Sequence, residues 1–179
     1  MSGNAFKALA DLANRSRDAA MSLPQKSEAA PRWRGLGFMV LGENFVAPMG
    51  QITEMLEVPA YTHLPGVQPW VMGLANVRGR LLPLFDLAMY FGGHLGQQRR
   101  NRRVLILETE TLFCGLVVER ALGMQHFEIA QRSATRSALP ESMLAHLAGA
   151  YTDANGGTWN IIDFQSLAND ARFINASLV

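Results

Sequence analysis

The sequence predicts a mainly β domain, a small barrel or sandwich with short helices. From Leu36 onward short apolar runs of β type recur, and tight turn residues separate them. No strand–helix alternation of the βαβ kind occurs, which excludes a doubly wound sheet. The 179 residues suit one domain with a tail, and a hydrophobic fraction of 49% excludes wholesale disorder.

The elements follow in order. Residues 1–34 hold six cations against three acids, so the rest of the chain, with the total at +1, carries −2. Phe6, Leu9, Ala10, Ala13 and Ala20 form a weak helical stripe, and Ser22 to Pro31 reads as a linker. This start is either a frayed tail or an amphipathic helix. Leu36–Leu41 is a strand, Gly42 to Asn44 a turn, and Phe45–Ala47 a second strand. Met49–Val58 is a third strand, in which Ile52 and Glu54 share one face. Pro59 to Pro69 is loop. Gly73–Arg78 and Leu81–Phe85 are strands meeting at Arg78-Gly79. Asp86 caps a short helix, Leu87–Phe91, which Gly92-Gly93 stops. His94 to Arg103 is a polar loop. Val104–Glu108 and Leu112–Glu119 form a hairpin about Thr109–Thr111. Residues 120–147 show no clear pattern. Ala150–Thr152 and Thr158–Ile162 pair about Asn155-Gly-Gly157. Asp163 caps a last helix, Phe164–Asn169. No sequence repeat is visible.

Composition removes several chemistries. Both lysines, Lys7 and Lys26, lie in the first 26 residues, which excludes a phosphate-loop or Schiff-base lysine in the body. A single cysteine, Cys114, excludes an internal disulfide and a cysteine zinc site. The histidines at 63, 94, 126 and 146 lack ligand spacing. No serine sits in a Gly-x-Ser-x-Gly elbow, and Glu108, Glu110 and Glu119 read as solvated strand-end acids. The expectation is a non-enzyme without cofactor or metal. No apolar run reaches the ~18–20 residues of a membrane span and no signal peptide opens the chain, which predicts a cytoplasmic protein.

Two stretches stand out. Arg99-Arg-Asn-Arg-Arg103 places four guanidinium groups in five residues, which could grip phosphate, although no aromatic residue lies among them for base stacking. Pro69 to Leu87 puts Arg78 and Gly79 where two strands meet. Gly79 supplies a positive φ there, Arg78 is held at the rim, and Pro83 belongs at an edge or bulge.

In this second stretch the chain resembles the CheW-like coupling proteins of bacterial chemosensory systems. Gly73, Asn76, Arg78, Gly79, Pro83, Asp86 and Leu87 match the family pattern Gly-val-x-Asn-x-Arg-Gly-x-ile-x-Pro-val-x-Asp-Leu. Its N-terminal extension and divergent body are similar to the PilI branch, which serves type IV pilus twitching. The resemblance implies a CheW-like fold of two small five-stranded SH3-like β-barrels sharing a core. It implies residues 1–33 as a basic extension, 34–170 as the domain, and 171–179 as a tail. It further implies a non-catalytic adaptor between the cytoplasmic tip of a methyl-accepting chemoreceptor and the regulatory domain of a CheA-type histidine kinase. No nucleic acid is then expected, and membrane association comes only through the receptor. Ile52, Glu54, Asn76 and Arg78 are the implied receptor-binding positions. Pro48 and Gly50 depart from the family and are expected to bulge the third strand. The alternatives are a nucleic-acid-binding barrel using Arg99–Arg103 and a sensor holding a small ligand between the barrels.

Overall fold

Twelve strands form two sheets in the computed structural model, which describes residues 31–110, 112–134 and 139–176. The readings of residues 1–30 lie outside the described residues. The strands are β1 Arg32–Val40, β2 Glu43–Pro48, β3 Ile52–Glu57, β4 Tyr61–Thr62, β5 Val71–Val77, β6 Arg80–Asp86, β7 Arg103–Glu108, β8 Phe113–Val118, β9 Arg120–Glu128, β10 Arg132–Ser133, β11 Leu147–Thr152 and β12 Thr158–Ile162. Four short helices join them: α1 Leu87–Tyr90, α2 Glu141–Leu144, α3 Phe164–Ala168 and α4 Ala171–Ile174.

The two sheets follow one plan. Their orders are β4-β5-β6-β8-β7-β3 and β10-β11-β12-β2-β1-β9. In each, the central pair is parallel (β6 with β8, β12 with β2) and every other pair is antiparallel. The expected five-stranded halves are thus present, each extended at one edge by a two-residue strand. Neither sheet closes on itself through backbone pairing among the described residues.

Chain order shows a structural repeat that the residues hide. Six strands and a helix, β1–β6 with α1, are followed by β7–β12 with α3, and the two units have exchanged their first hairpins. β1 and β2 complete the sheet of β9–β12, while β7 and β8 complete that of β3–β6. Two details recur. Gly73 and Gly149 have φ of 144° and 131° beside bulges opening β5 and β11. Asp86 and Asp163 cap α1 and α3 by accepting N–H bonds from Met89 and Gln165.

Three apolar clusters follow this plan. Ala75, Leu82, Leu84, Val104, Ile106 and Val117 fill the half containing β3–β8. Val46, Phe127, Tyr151, Trp159 and Ile161, with Trp33 against them, fill the other. The largest cluster draws on both halves, with Phe38 stacked on Phe45 and Phe164 and Trp70 stacked on Phe173. This is the shared core. Each large side chain buried there contributes roughly 1.5–3 kcal/mol of transfer free energy. Cys114 is buried in it, and burial pushes its thiol up to about 12.

Several boundaries differ from the sequence reading. β1 begins at Arg32, inside the expected N-terminal extension 1–33, because Arg32 and Trp33 pair with Glu128 and Phe127 of β9. The turn between β1 and β2 is Leu41-Gly42, both at positive φ, rather than Gly42 to Asn44. The third strand starts at Ile52, since Gly50 turns the chain at φ 91° and Pro48 ends β2. The pattern-free stretch 120–147 contains the nine-residue β9, β10 and α2. The expected C-terminal tail opens with α4, whose Phe173 is buried in the shared core.

Candidate functional site

The β5–β6 hairpin builds the site. Val77 pairs with Arg80, so Arg78 and Gly79 are the two central residues of the turn, at φ 52° and 82°. Positive φ at both positions gives the backbone twist that suits a two-residue hairpin. Glycine adopts it freely, whereas for arginine the left-handed region costs roughly 1–2 kcal/mol. The sequence reading assigned positive φ to Gly79 alone.

Two hydrogen-bonding arrangements hold this turn. The Asn76 Oδ1 accepts the Gly79 N–H at 2.9 Å. The Arg78 guanidinium donates from Nη1 to Glu54 Oε2 at 2.8 Å and from Nη2 to Glu54 Oε1 at 2.6 Å. Glu54 lies on β3, at the edge of the sheet opposite β4 and β5. The fork therefore spans the seam that backbone pairing leaves open. Arg78 remains 75% exposed and Glu54 33%.

Ile52 does not join this group. Between Ile52 and Glu54, β3 advances two residues while β7 advances one, so Ile52 pairs with Leu107 and Glu54 with Ile106. Adjacent residues of β7 face opposite sides. The two positions thus lie on opposite faces, which corrects the expectation that they share one. Ile52 packs against the shared core, and the Thr53 hydroxyl donates to Ile106 O at 3.1 Å at the bulge. The bulge falls at Thr53 and not at Pro48 or Gly50.

The motif residues around the hairpin have separate tasks. A Cβ on Gly73 would lie 2.1 Å from Thr62 O, so the β4 backbone requires glycine there. Gly79 faces open space and is needed for its φ alone. Pro83 lies on the stretch of β6 that has only β5 beside it, because pairing with β8 covers Leu84–Asp86. There its missing N–H costs no ladder bond on the open side. Burial pushes the Asp86 carboxyl up, against the pull of the Met89 N–H and the Arg102 guanidinium. Leu87 is wholly buried in the shared core.

Three further features were not singled out in the sequence. Arg80 Nη2 meets Glu108 Oε1 at 3.0 Å, with its guanidinium 3.8 Å above the Phe113 ring. Glu108 is thus paired rather than merely solvated. Leu81, opposite Asn76, is 65% exposed and lines a shallow groove with Tyr61, Leu64 and Leu74. Alternation along β6 could have placed Leu81 outward, but the Arg80 stack depends on a strand distant in sequence.

The arginine loop separates into two pairs. Arg102 Nη2 donates to Gly96 O at 3.0 Å, and Arg103 Nη1 donates to Arg100 O and Arg102 O at 2.9 and 2.8 Å. Arg99 and Arg100 are exposed on a single 3₁₀ turn. Among the described residues no cluster of three His, Cys, Asp or Glu could hold a metal, and no helix is long and apolar enough to cross a membrane.

Two six-stranded mixed sheets carrying this hairpin motif fit the CheW-like fold that the resemblance implies, and comparison agrees. The model of the CheW-like domain matches residues 34–172. The chain belongs to the CheW-like domain family. It is 39% identical to protein PilI of Pseudomonas aeruginosa over 97% of this chain and 96% of PilI. It is 27% identical to chemotaxis protein CheW of Helicobacter pylori over 63% of this chain and 67% of that one, and 24% identical to protein FrzA of Myxococcus xanthus over 82% and 91%. The crystal structure of the scaffolding protein TtCheW from Thermoanaerobacter tengcongensis superposes with a TM-score of 0.64. It covers 74% of this chain and 90% of that one at 18% identity, which shows the shared fold.

Proposed function

We propose that this protein is a non-catalytic adaptor of a chemosensory pathway that controls type IV pilus twitching. It joins the cytoplasmic tip of a methyl-accepting chemoreceptor to the regulatory domain of a CheA-type histidine kinase. The similarity to PilI along nearly the whole chain supports the pilus pathway. The observation that carries the receptor contact is the Arg78–Glu54 fork, a guanidinium held extended on a turn fixed at both ends. Such an arginine binds with little ordering cost, and arginine anchors are frequent hot spots of small interfaces. Glu54, Asn76 and Arg78 are the receptor-site residues in this reading, and Ile52 supports β3 from beneath. The chain is recruited from the cytoplasm to membrane-bound receptor arrays.

Nucleic-acid binding through Arg99–Arg103 loses support, because Arg102 and Arg103 are engaged with the loop's own carbonyls. The test is a pair of titrations of the full chain, one with a receptor-tip fragment and one with the kinase regulatory domain. Binding to both is expected, with Arg78→Ala losing only the receptor. A chain that binds neither, or an Arg78→Ala variant that binds both normally, overturns the reading.

A further inference from the structure

Asn76 matches the family motif beside Arg78, and its exposed side chain invites the view that it touches the partner. We infer instead that Asn76 is a positioning residue that acts on the receptor only through Arg78; this rests on the adaptor reading above. The Asn76 Oδ1 is occupied by the Gly79 N–H at 2.9 Å. That N–H is the amide of the turn's second central residue, which the strand ladder does not use, since the flanking pair is Val77 with Arg80. The bond fixes the orientation of the Arg78–Gly79 peptide. A flip of this peptide would convert the turn into one whose first central residue is dominated by glycine, a position held here by arginine at φ 52°.

The guanidinium end is fixed separately by the Glu54 fork. Arg78 is therefore clamped at its backbone from one side and at its head from the other. The second repeat retains the frame but not this device. There the register places Thr152 opposite Thr158, and a longer turn is held by the Asp153 carboxylate, which accepts the N–H groups of Asn155 and Gly157 and the indole N–H of Trp159. The Asn-x-Arg-Gly arrangement thus belongs to one half only, where it serves the displayed arginine.

The test uses the full chain with Asn76→Ala, Asn76→Asp, Arg78→Ala and the double Ala variant. Amide exchange of Gly79 and receptor-tip affinity are measured for each, with a melting curve to confirm folding. Asn76→Ala is expected to speed Gly79 exchange about tenfold or more and to weaken tip binding several-fold. Asn76→Asp, which retains an acceptor oxygen, restores both. The double variant binds no worse than Arg78→Ala, because the two residues act in series. Weaker binding with unchanged Gly79 exchange overturns the inference, as does an added loss in the double variant, since either means direct contact. An Asn76→Asp variant that protects Gly79 without restoring binding also overturns it. If Arg78→Ala binds the tip like the parent, the site reading falls and the positioning role falls with it. If Arg78→Ala fails and Asn76→Ala binds normally, the positioning role alone falls.

Discussion

Glu54 and Arg78, 24 residues apart, face each other in a two-bond fork that bridges an edge strand and a hairpin turn which share no backbone pairing. The geometry fixes the guanidinium plane, which a single contact would leave free to rotate. Because Arg78 is largely exposed, the pair contributes only ~0–1 kcal/mol to folding.

Stability and binding should therefore separate at Arg78. Arg78→Ala is expected to melt within a few degrees of the parent and to retain the kinase domain, while losing ~2 kcal/mol or more of receptor affinity. Arg78→Lys should recover little, because an ammonium cannot form the fork. Melting curves beside separate receptor and kinase titrations check this. Unfolding of Arg78→Ala would make the residue structural.

The two motif glycines should differ in cost. Gly73→Ala must move the β4 backbone away from a Cβ placed 2.1 Å from Thr62 O, at a φ of 144°. A loss of about 3 kcal/mol or more is expected from overpacking together with strain. Gly79→Ala meets no atom and has only its φ of 82° to support, so about 1–2 kcal/mol suffices. Urea unfolding of both variants ranks them, and equal losses would show that β4 yields easily.

Alanine substitutions in the arginine loop should divide along the contacts observed. Arg99→Ala with Arg100→Ala is expected to leave stability within ~0.5 kcal/mol, as for exposed charges. Arg102→Ala removes the donor to Gly96 O and a cation beside Asp86, so it should loosen residues 94–101. Limited proteolysis reads this out as faster cutting in the loop for Arg102→Ala alone. Equal cutting of all variants would mean that the loop is held by its backbone.

Local chemistry made part of this fold legible. Asp86 and Asp163 were readable as caps and Arg78-Gly79 as a turn, because each depends on neighbours within a few residues. The CheW-like resemblance offered Ile52, Glu54, Asn76 and Arg78 as one group; the last three meet at the β5–β6 turn, whereas the face of Ile52 depends on a bulge at Thr53 set by β7, some fifty residues on. The repeat was hidden because its two units share little beyond a glycine and a capping aspartate. The exchange of hairpins also removes the strand order that a simple tandem would show. Trp33 and Phe173 fell in the expected extension and tail because their partners, Tyr151 and Trp70, lie more than a hundred residues away.

A buried polar network supplies the pH dependence. His146 Nε2 lies 3.2 Å from Asp170 Oδ2, its Nδ1 lies 3.1 Å from Ser166 Oγ, and the Tyr90 hydroxyl donates to Asp170 Oδ2 at 2.6 Å. These residues tie α1 to the chain around α3 and α4. Burial pushes the Asp170 carboxyl up, but the Tyr90 hydroxyl, the Arg172 N–H and the His146 and Arg172 side chains outweigh it and hold it below its ordinary range. A depressed carboxyl contributes stability above its unfolded value, ~3.9, and loses it as pH falls through the lower folded value. Tyr90→Phe removes one of these pulls, so it should cost about 1–2 kcal/mol at pH 7. The difference from the parent should shrink below about pH 4 as Asp170 becomes protonated in both. Burial raises Asp86, giving a contribution of opposite sign, but it is common to both proteins and cancels in the comparison. Urea unfolding of parent and Tyr90→Phe between pH 7 and 2.5 measures the difference. A gap that stays constant over this range would mean that the Tyr90 hydroxyl contributes without depending on the charge of Asp170, since the ring packing on Phe173 and Trp70 is kept in both proteins.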